Sequence, residues 1–303
     1  MNVVSLSGGV GGARLLRGLS ALDEVELTAV VNVADDEVIY GLAVSPDIDT
    51  VIYTLGGVEG QQGWGYANDS HTVIEMLERF PIDTWFTIGD RDFATNLFRT
   101  ARLGRGWTLS QVTTAQAAVF GVEATVVPVS DDPIRTELHV PGEGWVSFQD
   151  YFVDRQHTDD VDDVRFAGAA ASIPAPGVID AIESADVVVV GPSNPPLSIW
   201  PILAVPGVAA TLEKAERVVG VSPLIKGRTI KGPADKVMRS LGLSPGNAGV
   251  LEAYNGLLDE LTVDESDRHD TSLTTSHTVV SVADTRIVDV DRATALAARI
   301  LGL

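Results

Sequence analysis

The chain is predicted to fold as an α/β protein, a Rossmann-like and mostly parallel sheet with helices on both faces. Three observations carry this. Short, almost uninterrupted runs of apolar β-branched residues recur along the chain, as strands buried on both faces require. Helical stretches separate those runs. The first run, Asn2-Val3-Val4-Ser5-Leu6, passes through Ser7-Gly8-Gly9-Val10-Gly11-Gly12-Ala13 directly into the helical segment Arg14 to Leu19.

Taken in order, strands are expected at Val3–Leu6, Leu27–Val33, Trp85–Ile88, Ala124–Val129, Val187–Val190 and Val218–Val221. Helices are expected at Thr72–Phe80, Asp92–Arg102 and Leu109–Phe120. From Ser130 to Asp150 the rhythm changes. There Thr136–Val140 and Trp145–Phe148 flank Pro141-Gly142-Glu143-Gly144 and read as a β-hairpin, followed by a solvated acidic turn from His157 to Asp163. No repeat, low-complexity tract or linker divides the chain. Residues 1–303 are therefore expected to form one domain with a small insert at about 130–175.

Composition narrows the function. A chain of 303 residues with 45% hydrophobic content can bury a substantial core. Its 42 acidic and 21 basic residues give a net charge of −21, a field that repels nucleic acid and anionic membrane. A phosphorylated ligand then needs local positive charge, from a metal ion or a few arginines. Such self-repulsion is best tolerated in concentrated salt, where the Debye length falls to about 3 Å. The composition thus suggests a halophilic origin, with an ordinary acidic cytoplasmic protein as the alternative, and it predicts a salt requirement, which folding and activity retained at low salt would contradict. With no cysteine, disulfides, thiolate nucleophiles and Cys-based metal sites are excluded. No basic-then-apolar leader and no apolar run of membrane-spanning length is visible, so a cytoplasmic location is expected.

Ligands of open α/β sheets gather at the carboxyl ends of strands, so the segments just after strands are the candidates. The Gly8, Gly9, Gly11 and Gly12 turn offers backbone N–H groups at a helix N-terminus, where a phosphate can sit, and serves equally to turn a strand tightly into a helix. It lacks the Lys-Ser/Thr ending of a P-loop and the full dinucleotide fingerprint. Asp35-Asp36 follow the second strand, and Ser45-Pro46-Asp47-Ile48-Asp49-Thr50 comes soon after. Carboxylates at such positions suit Mg²⁺, a hard ion that bridges oxygen ligands to phosphates, although paired acids also decorate acidic surfaces. Arg91, between Asp90 and Asp92, is a candidate ligand contact whose guanidinium the flanking acids would hold, with Asp92 a candidate helix cap. Ser193-Asn194 lie in a proline-stiffened loop after the most apolar strand. Lys226 and Lys231 stand out because lysine is rare here. Trp64 and Tyr66 either stack on a flat ring or pack the core. The five histidines show no metal-binding spacing, and no Gly-x-Ser-x-Gly elbow occurs.

Read together, Gly8–Ala13, Val31–Asp36, Ser45–Thr50, Gly63-Trp64-Gly65, Gly89–Asp92, Ser130-Asp131-Asp132-Pro133, Phe148-Gln149-Asp150, Gly191–Pro195 and Val221-Ser222-Pro223 closely resemble the 2-phospho-L-lactate transferase family of coenzyme F420 biosynthesis. The resemblance spans residues 1 to about 235. It implies a Mg²⁺-dependent transfer from lactyl-2-diphospho-5′-guanosine, or its enolpyruvyl equivalent, to the deazaflavin Fo, with release of GMP, and it implies a homodimer. Matched position by position, Asp49 and Arg91 correspond to residues that hold Fo. Asp35, Asp36 and Asp49 correspond to the metal region, and Gly8 to Gly12 with Ser193 and Asn194 to the guanylyl side. A nucleotide-sugar-binding regulator of related fold is the alternative, since fold alone does not establish catalysis. A dinucleotide-dependent dehydrogenase is disfavoured.

Overall fold

The computed structural model describes every residue except 231, 271, 274 and 276, so Lys231 lies outside the described residues. β1 (Asn2–Ser7) runs into α1 (Gly9–Ser20) and returns as β2 (Glu26–Val31). A short hairpin, β3 (Glu37–Ile39) and β4 (Leu42–Val44), leads to α2 (Pro46–Leu55), α3 (Thr72–Leu77), α4 (Asp90–Leu103) and α5 (Leu109–Val119). β5 (Thr125–Pro128) precedes β6 (Arg135–Val140), β7 (Gly144–Ser147) and β8 (Asp163–Ala167). Then come α6 (Val178–Glu183), β9 (Val187–Val190), α7 (Trp200–Leu203), α8 (Val208–Leu212), β10 (Val218–Val221), β11 (Leu224–Ile225) and β12 (Arg228–Thr229). α9 (Ala234–Ser240), α10 (Asn247–Tyr254), β13 (Glu260–Asp264), β14 (Val279–Ala283) and α11 (Val290–Leu301) complete the chain.

Seven strands form one sheet in the order β14-β13-β10-β9-β1-β2-β5, and every neighbouring pair is parallel. The chain builds outward from β1 through β2 to β5, then crosses to β9 and builds outward on the other side. The reversal falls between β1 and β9, where the carboxyl ends of adjacent strands diverge and leave a crevice for ligand. Both faces are covered, so the valines of β9 are buried throughout the strand. That burial explains why the strand reads as a continuous apolar run.

The α/β, mostly parallel architecture is as expected, and so is the hairpin at β6 and β7. Trp85–Ile88 is a correction: it is not a strand. The Tyr40 hydroxyl accepts from the Phe86 N–H and donates to the Phe86 carbonyl, both at 2.8 Å, and Ile88 packs with Ile39, Leu42, Val44 and Ile74 in a satellite cluster. The apolar run thus serves a small side core rather than a ladder. Among the strands that the sequence reading did not include are β8, β13 and β14. β13 and β14 carry Thr262 and Ser281, which bond each other at 3.0 Å, and β8 alternates with exposed charge at Asp163. β6 is the centre of a separate antiparallel sheet, β7-β6-β8, whose own cluster includes Leu138, Val140, Tyr151 and Val161. Among the described residues no helix is long and apolar enough to cross a membrane.

Candidate active site

The loops that leave β1 and β9 meet at the crevice. The Gly8 N–H donates to Ser193 Oγ at 3.1 Å, and that hydroxyl donates to the Gly8 carbonyl at 2.8 Å. Closeness is built into the glycines: a Cβ on Gly11 would lie 2.3 Å from the Pro192 carbonyl oxygen, and one on Gly12 would lie 2.7 Å from Ser193 Oγ. Asn194 stiffens the seam by accepting from the Leu197 N–H at 3.3 Å. The glycine turn and the Ser193-Asn194 loop, far apart in sequence, thus form one structure. Its first free helical donor is nevertheless taken. The Gly9 N–H donates at 2.7 Å to Asp47 Oδ1, a carboxylate lodged where the start of α1 favours an anion.

Asp47 belongs to a buried group of acids assembled from the loop after β2 and the first turn of α2. Asn32 organises it, donating to Asp47 Oδ2 at 2.9 Å while accepting from the Ala34 N–H at 2.9 Å. Ser45 Oγ donates to Asp36 Oδ2 at 2.7 Å. The small antiparallel sheet reaches in from the side. The Thr136 N–H donates to the Ala34 carbonyl at 2.7 Å, and Gln149 Nε2 donates to the Asp35 carbonyl at 2.8 Å. Asp35 and Asp36 each retain a buried Oδ1 without a hydrogen-bond partner. Asp49 forms an ion pair with Arg99 Nη2.

Arg99 was not singled out from the sequence. It is fully buried, and it also donates to the Ala43 carbonyl at 3.1 Å, Asn96 Oδ1 at 2.6 Å and Gln116 Oε1 at 3.3 Å. A signal was available: Asp92, Asn96 and Arg99 recur at helical spacing and place a polar stripe on one face of α4. The stripe continues to Tyr53, whose hydroxyl donates to Asp92 Oδ1 at 2.9 Å.

Asp49, Asp36 and Asp92 feel the charge of the Arg99 guanidinium, Asp35 neighbours Asp36 and Asp47, and burial penalises the charged forms of all five. Burial pushes Asp36 up to about 7 and Asp47 to about 6. Burial together with the Asp49 charge pushes Asp92 to about 7. Asp35 is raised well above its ordinary value by burial and then by Asp47 and Asp36, and burial raises Asp49 despite Arg99. These carboxyls hold protons more tightly folded than unfolded, so between the ordinary 3.8 and about 7 the native state binds more protons. Stability consequently falls as pH rises through that window. The melting temperature in chelator should be higher at pH 5 than at pH 7.5, and Asp36→Asn should flatten the fall. A profile that rises with pH would contradict this.

The donor set also bears on a metal. Among the described residues no three His, Asp or Glu side chains stand together as a complete metal-binding group. Mg²⁺ commonly takes only one or two carboxylates and completes its shell with water and substrate phosphates. Two unpartnered hard oxygens, on Asp35 and Asp36, fit that pattern.

Arg91 lies on the exposed side of α4. The flanking acids do not hold its guanidinium, which corrects that expectation. Nη1 donates to the Ala67 carbonyl at 3.2 Å, and the group sits 5.4 Å over the Tyr66 ring. Asp90 instead accepts from the N–H groups of Thr72 and Val73 at the start of α3, at 3.1 and 2.9 Å. Asp92 turns inward to Tyr53, and the cap of α4 is Asp69, which accepts from the Arg91 and Asp92 N–H groups at 3.0 and 3.2 Å. Tyr66 packs edge-on to Tyr53 at 5.2 Å, while Trp64 is 52% exposed. The Lys226 N–H donates to Ser266 Oγ at 3.2 Å.

With this geometry established, comparison with known proteins is decisive for the family. The family model described as 2-phospho-L-lactate transferase CofD matches residues 3–301. The chain belongs to this family. Membership makes it a transferase and extends the resemblance read from residues 1 to about 235 over nearly the whole length. A phosphoenolpyruvate transferase of Streptomyces griseus is 43% identical over 275 residues, 88% of this chain and 86% of that one. A 2-phospho-L-lactate transferase of Methanosarcina mazei is 37% identical over 270 residues, 88% of each chain. A crystal structure of a UPF0052 family member from Bacillus halodurans superimposes with a TM-score of 0.66 over 99% of both chains. At 20% identity that likeness shows a common fold.

Proposed function

We propose that this chain transfers the phospholactyl group of lactyl-2-diphospho-5′-guanosine to the terminal ribityl hydroxyl of Fo, giving F420-0 and GMP with Mg²⁺ as cofactor. The observation that carries this reading is the meeting, at one sheet edge, of the Gly8–Ser193 seam with a carboxylate loop that has two unpartnered buried oxygens. The seam suits the guanylyl phosphate. Asp35 and Asp36 would hold Mg²⁺, which when bound neutralises phosphate charge, while Asp49 is committed to Arg99. The hydroxyl oxygen forms a bond to the phosphorus that bears the lactyl group, the bond from that phosphorus to GMP breaks, and the hydroxyl proton passes to a base. Alignment and charge neutralisation suffice for such a transfer, with no covalent nucleophile required. Asp49, oriented by Arg99, is the proposed base, and Arg91 with Asp49 the proposed Fo contacts. We place the enzyme in a salt-rich cytoplasm as a homodimer, acting on small molecules rather than nucleic acid or membrane.

Asp49→Asn should lower kcat by about a hundredfold or more while changing the Fo dissociation constant little. Steady-state kinetics beside Fo titration checks this; equal losses in both would make Asp49 a binding group only. A second reading has a specific observation behind it. The Streptomyces griseus relative, 43% identical, is a phosphoenolpyruvate transferase, whereas the phospholactate transferase of Methanosarcina mazei is 37% identical. This favours an enolpyruvyl donor. Supplying Fo with each guanylated donor and weighing the product tests both readings: an Fo adduct heavier by one phospho-three-carbon unit supports the transferase and names the donor, and no adduct from either refutes it.

A further inference from the structure

The donor is strongly anionic, yet the site described above is dominated by acids. The nearby cations are mostly spent. Arg99 is sealed from solvent and divided among Asp49, Asn96, Gln116 and the Ala43 carbonyl. Arg91 lies over Tyr66, and Arg14 donates to the Ile287 carbonyl at 3.3 Å. Arg135 differs. Its side chain makes one hydrogen bond, from Nη1 to the Ile134 carbonyl at 2.7 Å, and no carboxylate of the described residues pairs with it. It is half-buried, and its charge is felt at Asp36 alongside that of Arg99. The next residue, Thr136, bonds the Ala34 carbonyl, so Arg135 is tied by the backbone to the carboxylate loop.

Position along the sheet edge says which part of the donor it faces. The Gly8–Ser193 seam lies between β1 and β9, Asp35 and Asp36 follow β2, and Arg135 opens β6 of the antiparallel sheet that the chain enters after β5, the strand beside β2, where Thr136 ties it to the Asp35-Asp36 loop. A donor with its guanylyl phosphate at the seam and its second phosphorus at the carboxylates would direct its three-carbon acid toward β5. We propose that Arg135 grips the carboxylate of that three-carbon acid, the end of the donor opposite guanosine. This rests on the transferase reading. A planar guanidinium with uncommitted N–H groups matches a carboxylate through two parallel hydrogen bonds, which a lysine does not reproduce. Arg135 is then the residue that makes the acid portion part of recognition, separate from the nucleotide.

The test compares wild type, Arg135→Ala and Arg135→Lys with Fo and whichever guanylated donor the wild type uses, at matched melting temperature. In Arg135→Ala the KM for the donor should rise about ten- to a hundredfold, with the KM for Fo and inhibition by GMP unchanged. Arg135→Lys should recover only part of the loss, and it carries the test if the alanine variant does not fold. A donor KM unchanged in both variants would overturn the role of Arg135 while leaving the transferase reading intact. So would a weakening of GMP inhibition equal to the rise in donor KM, because the contact would then be to the nucleotide. Absence of any transfer by the wild type would overturn the transferase reading and this proposal together.

Discussion

Replacing Asp35 by asparagine is expected to raise the melting temperature by a few degrees and to reduce transfer by more than about a hundredfold. The two effects share a cause. Asp35 is 5% exposed, its Oδ1 has no partner, and its charge is opposed by burial and by Asp47 and Asp36. Asparagine keeps the shape and removes the unfavourable charge, and its amide can still pair with the Thr136 side chain that favours the charged carboxylate in the wild type. The same substitution removes a hard anionic oxygen from the proposed metal pair. Gain of stability with loss of activity marks a group retained for function at the expense of the fold. A fall in melting temperature together with lost activity would make Asp35 a structural residue instead.

Arg99→Met should act in the opposite sense, costing about 3–5 kcal/mol, because it leaves buried carboxylates without their cation. Against a total stability of about 5–15 kcal/mol this is a severe loss. Its pH dependence distinguishes the cause from simple repacking. Asp49 and Asp92 both carry raised pKa values, Asp92 at about 7, so acid neutralises the charges that Arg99 no longer compensates. Urea denaturation should show the deficit large at pH 8 and much reduced at pH 5, and Asp49→Leu added to Arg99→Met should restore part of it. A deficit independent of pH would assign the loss to the cavity rather than to the charge.

The parts legible in the sequence are those that local chemistry dictates. β1, the glycine turn and α1 are consecutive, and each signal lies within a few residues of what it specifies. The Asp35-Asp36 loop was found by the same logic, as polar residues directly after an apolar strand. Contact between Gly8 and Ser193 depends on β1 and β9 being neighbours, a fact of topology that neither segment contains. Choosing between Asp47 and Asp49 required knowing how the first turn of α2 faces α1: Asp47 meets the Gly9 N–H while Asp49 turns to Arg99. Arg99 was missed because arginines on helices usually face water, and only the company of Asp92 and Asn96 marks its face as buried. Trp85–Ile88 misled for the opposite reason. Phe86 and Ile88 do pack into a core, but that core lies beside the sheet, and Trp85 is exposed.

The central claim, that the proton-holding carboxylates after β2 are the cation site, is tested most directly by calorimetric Mg²⁺ titration of wild type and Asp36→Asn. The titration is run with GMP present, near pH 6.5, in buffers of different ionisation enthalpy. A carboxyl held near pKa 7 must lose its proton to bind metal, so wild type should bind Mg²⁺ with net proton release and Asp36→Asn should bind weakly and release less. Mg²⁺ binding equal in both proteins and without proton release would place the ion elsewhere and contradict the account.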